Sequence, residues 1–154
     1  MRALPALALT VVAVAAAGCG GGEERSAAAE QLAALCDEAR TDVEALGLPA
    51  EKGPQVVAAW ADRGRKLAAA VGKLQGDTAT EREQLGSLRT YLDEHYAGLK
   101  LAYIVYNETR DAAAYAAAID RARAFLVSAE QLAKRMGAPE CAVRPFDDVE
   151  APGG

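Results

Sequence analysis

The chain has 154 residues, a formal net charge of −5 and 37 alanines. This length allows one domain with a sizeable core. The alanine content, with only 5% aromatic residues, favours helices over a β-sandwich or barrel. The acidic balance argues against nucleic-acid binding, which requires a basic surface. One histidine and three cysteines leave little material for a metal centre or a histidine-based active site.

Residues 1–18 have the composition of a signal peptide. A cation at the second position precedes an uncharged, mostly apolar run that is shorter than the ~20 residues of a membrane-spanning helix. The run ends in Ala16-Ala17-Gly18-Cys19, and three glycines follow it. Two small residues before a cysteine resemble the lipobox of bacterial lipoproteins, although Ala16 stands where leucine is usual.

The resemblance to the lipoprotein class implies that the mature chain begins at Cys19 and that this residue carries the lipid. Residues 19–26 then form a glycine-rich tether, and the protein lies at the outer face of the bacterial cytoplasmic membrane. An acidic body gains nothing from anionic headgroups, so the acyl chains must supply the attachment. The alternatives are a secretory signal that is cleaved beside Ala15-Ala16-Ala17 and a retained membrane helix.

Residues 27–137 are predicted to form four amphipathic helices, because apolar residues recur there at helical spacing. The predicted helices are Ala27–Leu46, Pro54 to about Gln75, Thr80 to about Asn107, and Asp111 as N-cap to about Met136. Short turns between them predict an all-α, four-helix, up-down-up-down bundle. Residues 138–154 show no periodicity and are predicted to be coil.

Two of these helices have further sequence signals. Thr80 and Glu83 have the spacing of a capping box at the start of the third helix. Gly137 and Pro139 supply the stop signal after the fourth helix. The inward face of the fourth helix is predicted to contain Tyr115, Ala118, Ala122, Phe125, Ala129, Leu132 and Met136.

Cys36 and Cys141 are predicted to form a disulfide between the first helix and the C-terminal tail. Paired thiols oxidise outside the cytoplasm. In an antiparallel four-helix bundle, the start of the first helix and the end of the fourth lie at the same end. A tail that folds back by one or two turns therefore reaches Cys36. The alternative is a pair of buried free thiols.

An aromatic pocket inside the bundle is a second candidate site. Its residues would be Trp60, Arg63, Tyr96, Tyr103 and Tyr106. The competing interpretation places the aromatic residues in the core and lays the stem of the arginine along the core with its head in water. His95 lies on the shoulder of the third helix's apolar face and is expected to be a surface or hydrogen-bonding residue.

No catalytic group, metal site or cofactor is predicted. The single imidazole has leucine three positions before it, so the paired Glu-x-x-His motifs of di-iron bundles are absent, and no phosphate-binding glycine loop is present. The sequence therefore predicts a membrane-anchored module that binds or scaffolds another envelope protein and is not an enzyme. The alternative is a small-ligand carrier or sensor that uses the aromatic interior.

Overall fold

The computed structural model describes residues 25–47, 52 and 55–141. Four α-helices cover most of this part of the chain, and one 3₁₀ turn follows them. They are α1 (Ala27–Glu44), α2 (Gln55–Val71), α3 (Ala79–Thr109), α4 (Ala112–Arg135) and the turn Pro139–Cys141. The helices form the predicted all-α bundle, in which each helix packs against the next along the chain.

The helix ends follow local capping chemistry. The Ser26 hydroxyl accepts a hydrogen bond from the Ala29 N–H and begins α1. Asp111 caps α4, as predicted, because its carboxylate accepts from the Ala114 N–H. Gly137 has a φ of 81° and ends the last helix in the left-handed region that glycine adopts without strain.

The capping box of α3 lies two residues earlier than predicted. The Thr78 hydroxyl accepts from the Glu81 N–H at 3.1 Å, and the Glu81 carboxylate accepts from the Thr78 N–H at 3.0 Å. The prediction of Thr80 and Glu83 was wrong because the same pattern occurs twice: Thr78 and Thr80 each have a glutamate three positions later. Tertiary contacts favour the earlier pair, since Glu81 also receives a hydrogen bond from Ser26 at the start of α1.

Three further predictions differ from the structure. Helix α2 ends at Val71 rather than near Gln75. Residues 139–141 form a 3₁₀ turn where coil was predicted. Phe125 is not on the inward face of α4, since its side chain is 38% exposed while its neighbour Leu126 is buried. The predicted segments 1–18 and most of 19–26, together with residues 142–154, lie outside the described residues.

Glycine allows close packing on both sides of α3. The Tyr96 ring lies against Gly64 of α2, where a Cβ atom would overlap the ring. On the opposite side, a Cβ at Gly98 would come within 2.8 Å of the Ala122 Cβ on α4. These positions place α3 at the centre of the core between α2 and α4, whereas α1 packs against α2 and the 3₁₀ turn.

Candidate functional site

Cys19, the predicted lipid attachment site, lies outside the described residues. The first described residues of the chain are held at one end of the bundle. Arg25 forms an ion pair with Glu140 at 2.8 Å, and Ser26 hydrogen-bonds to Glu81. Within the described part of the chain, no helix combines the length and hydrophobicity required to cross a membrane.

The predicted disulfide is present. Cys36 and Cys141 are bonded, with their Cα atoms 4.9 Å apart. The 3₁₀ turn brings the chain back to α1 and places Cys141 opposite the third turn of that helix, which contains Cys36. Both cysteines are buried, so the bridge is part of the core at the end of the bundle where α1 begins.

The five residues of the predicted aromatic pocket differ in their burial. Trp60 and Tyr96 are fully buried core residues, and burial raises the pKa of the Tyr96 hydroxyl. Tyr103 and Tyr106 are partly buried and pack against the edge of the core. The Tyr106 ring contacts the ring of Tyr115, with 5.4 Å between the ring centroids.

Arg63 lies on the outside of the bundle rather than beside the aromatic residues. Its guanidinium donates to the Asp42 carboxylate at 3.0 Å, and both side chains are largely exposed. This ion pair joins α2 to α1 at the rim of a shallow cleft of about 230 Å³. An exposed pair of this kind contributes at most about 1 kcal/mol. The interpretation of Arg63 as an arginine that ends in water agrees with this position.

His95 is more deeply buried than its position on the helix suggested. The side chain is 1% exposed, and its Nδ1–H donates to the Ala122 carbonyl at 2.9 Å. Burial lowers the pKa of His95 to about 4, and the charge of Arg123 acts in the same direction, whereas the bond to Ala122 opposes it. The imidazole is therefore neutral near pH 7 and links α3 to α4.

The largest exposed apolar side chains lie on α3 and α4, and the sequence analysis did not single them out. Leu101 is 59% and Ile104 41% exposed on α3, and Val127 is 46% exposed on α4, which also carries Phe125. Leu101 and Ile104 are three residues apart, so they are neighbours on one face of the helix. Their exposure could have been predicted from the sequence, because both lie on the face of α3 opposite the stripe of leucine and tyrosine residues.

Other chemical sites are few in the described part of the chain. No group of three or more His, Cys, Asp and Glu side chains there has the arrangement of a metal site. Two further clefts lie at the surface. One, of about 430 Å³, is beside Arg25 and Arg135 at the end of the bundle where α1 begins, and the other, of about 390 Å³, is between α2 and α3.

Comparison with protein-family models, with curated proteins and with solved structures found no significant match.

Proposed function

We propose that the protein is a lipid-anchored helical module that binds another protein of the cell envelope through the outer surface of α3 and α4. Anchoring through Cys19 follows from the lipobox resemblance and places the module on the outer face of the bacterial cytoplasmic membrane. The proposal assigns no catalytic residue and no cofactor.

The exposure of Leu101 and Ile104 is the observation that carries the binding proposal. These two side chains present adjacent apolar surface in a position where the bundle does not need it for its own core. Apolar side chains that are grouped on a surface are typical of protein contacts. Helices α3 and α4 are also the longest in the described part of the chain and pack closely on each other, so they offer a rigid surface.

The burial of the central aromatic side chains gives less support to a small-ligand carrier. Trp60 and Tyr96 occupy the space that such a ligand would need, and Tyr96 is already in close contact with the Gly64 backbone. A carrier of this kind would have to displace core side chains in order to bind. The protein-binding function requires no such rearrangement.

A site-specific crosslink tests the proposal. A photo-reactive residue at Leu101 in the full chain is irradiated in intact membranes, with the same residue at exposed Gln31 on α1 as the control. We expect a discrete adduct from position 101 that is absent from position 31 and is lost when Ile104→Ser is added. No discrete adduct from 101, or the same adduct from both positions, would contradict the proposal.

A further inference from the structure

The cleft between α2 and α3 has more cationic than acidic side chains in its lining, in a protein that is acidic as a whole. Its volume is about 390 Å³, and it is open to solvent. Three cationic side chains and two carboxylates line it, together with two alanines. These residues are Asp62, Arg65, Lys66, Ala68, Ala69, Arg89 and Asp93.

Both carboxylates in the cleft already have a cationic partner. The Lys100 ammonium lies 2.6 Å from Asp62, and Arg65 donates through Nε to Asp93 at 3.3 Å. Arg65 makes its bond through Nε, so its terminal nitrogens are available for a second acceptor. Lys100 and Arg65 therefore neutralise the two carboxylates without any contribution from the other cations of the cleft.

Lys66 and Arg89 provide the surplus positive charge. Among the residues that the structure describes, neither has a carboxylate within ion-pair distance. Both side chains are exposed and line the same cleft. They therefore offer an ammonium and a guanidinium to an anion that enters between the helices.

A glycine positions the arginine. Gly72 follows the last residue of α2, and a Cβ atom there would lie 2.8 Å from Cδ and 3.2 Å from Nε of Arg89. The absence of a side chain lets Arg89 lie directly against the α2 backbone. The packing against Gly72 therefore directs the arginine side chain along the α2 backbone beside the cleft.

We infer that this cleft binds a phosphate group, either of soluble phosphate compounds or of a phospholipid headgroup. A planar guanidinium donates two parallel hydrogen bonds to phosphate oxygens, and an ammonium adds a point charge from another direction. A tetrahedral anion with several oxygens can accept from Arg89, Lys66 and Arg65 together. The argument for this site uses neither Leu101 nor Ile104, so it stands independently of the protein-binding proposal.

Phosphate titration of the full chain tests the site. The probe is inorganic phosphate at constant ionic strength, with chloride as the balancing anion, and the readout is the NMR signals of the arginine Nε–H groups. We expect saturable shifts of the Arg65 and Arg89 signals and about tenfold weaker binding in Arg89→Gln and in Lys66→Gln. The matched control, Arg121→Gln, removes one exposed cation from α4 and should leave the affinity unchanged.

Gly72→Ala tests the positioning of Arg89 separately from its charge. The variant keeps every charge and pushes only the far end of a flexible side chain, so we expect an unchanged fold and weaker phosphate binding. Vesicles of phosphatidylcholine with and without phosphatidic acid, mixed with Cys19→Ser chains that carry no acyl anchor, distinguish the sources. Binding to phosphatidic acid vesicles alone, lost in Arg89→Gln, would assign the headgroup. The inference would be overturned if the chain binds no vesicles and its NMR shifts do not saturate with phosphate. It would also be overturned if the chain binds no vesicles and Arg121→Gln weakens phosphate binding as much as Arg89→Gln does.

Discussion

His95 is a polar side chain that is buried in the core and makes a hydrogen bond there. Its Nδ1–H satisfies the Ala122 carbonyl across the contact between α3 and α4. The sequence placed the residue on the shoulder of the apolar stripe and could not predict its burial. Burial depends on the close approach of Gly98 to Ala122, which involves a second helix that lies far along the chain.

The lowered pKa of His95 predicts that the protein loses stability in mild acid. The unfolded chain binds a proton near pH 6.5, whereas folded His95 binds one only near pH 4. Stability is therefore fully present above pH 6.5 and falls as the pH drops toward 4. Linkage gives a loss of about 2 kcal/mol between pH 7 and pH 5.

Urea unfolding at pH 7 and pH 5 measures this loss, with His95→Gln as the matched variant. The glutamine amide retains a donor and does not titrate, so its stability should change less over the same interval. Glu81 and Glu140 stay ionised in this window, because hydrogen bonds from Ser26 and from the backbone N–H of Glu140 lower their pKa values. Equal losses of stability in the natural chain and in His95→Gln would contradict the assignment of the pH dependence to His95.

Two glycines in helices should respond in opposite directions to alanine. Gly64→Ala introduces a methyl group into the space of the Tyr96 ring and should destabilise the protein by about 1–3 kcal/mol. Gly86→Ala on α3 meets no atom within 4 Å and should stabilise it by up to about 1 kcal/mol. Thermal denaturation measures both, and a neutral Gly64→Ala would show that α2 and α3 are not in close contact.

At the scale of the helices, local sequence signals predicted that four helices exist and in which order they follow one another. These signals predicted less well where each helix ends and which of its residues face the core. The N-cap of α4 was predicted correctly because Asp111 follows a polar turn and has no competitor nearby. The inward face of α4 was partly wrong because residues 125–127 are all apolar and only the middle one, Leu126, is buried. In an alanine-rich helix, few large side chains are available to fix the angle of the apolar stripe.

The capping box of α3 provides a test at this scale. Thr78→Ala removes the acceptor for the Glu81 N–H and should cost about 1 kcal/mol of stability. Thr80→Ala is the control, because Thr80 lies inside the first turn and is exposed, so its effect should stay within about 0.5 kcal/mol. Denaturant midpoints of the two variants compare them directly. A larger loss in Thr80→Ala would place the cap where the sequence pattern first suggested it.

At the scale of the whole molecule, the disulfide joins the first helix of the bundle to the turn that follows the last helix. The pairing was predictable from topology, because the first and last elements of an antiparallel bundle of four helices meet at one end. The 3₁₀ turn that brings Cys141 to Cys36 was not predictable, since residues 138–154 show no periodicity. Periodicity also places Trp60 and Tyr96 inward, as observed, without showing whether the interior has space for a ligand.

Removal of the disulfide should lower the stability substantially. The bonded cysteines are 105 residues apart, and loop-closure entropy gives a contribution of about 4–5 kcal/mol as an upper estimate. We expect Cys36→Ala/Cys141→Ala to melt at a markedly lower temperature and to retain most of its helical circular dichroism. An unchanged melting temperature would show that the packing of α1 does not depend on the bridge.

The lipid anchor determines where the proposed module acts, and the fate of a Cys19→Ser chain tests this anchor most directly. Membrane and soluble fractions are separated, and the mass of each mature chain is measured. For the natural chain we predict a membrane-bound protein that begins at Cys19 and carries the added mass of lipid. The variant should be released or remain unprocessed, and a correctly cleaved Cys19→Ser chain that stays in the membrane fraction would contradict the account.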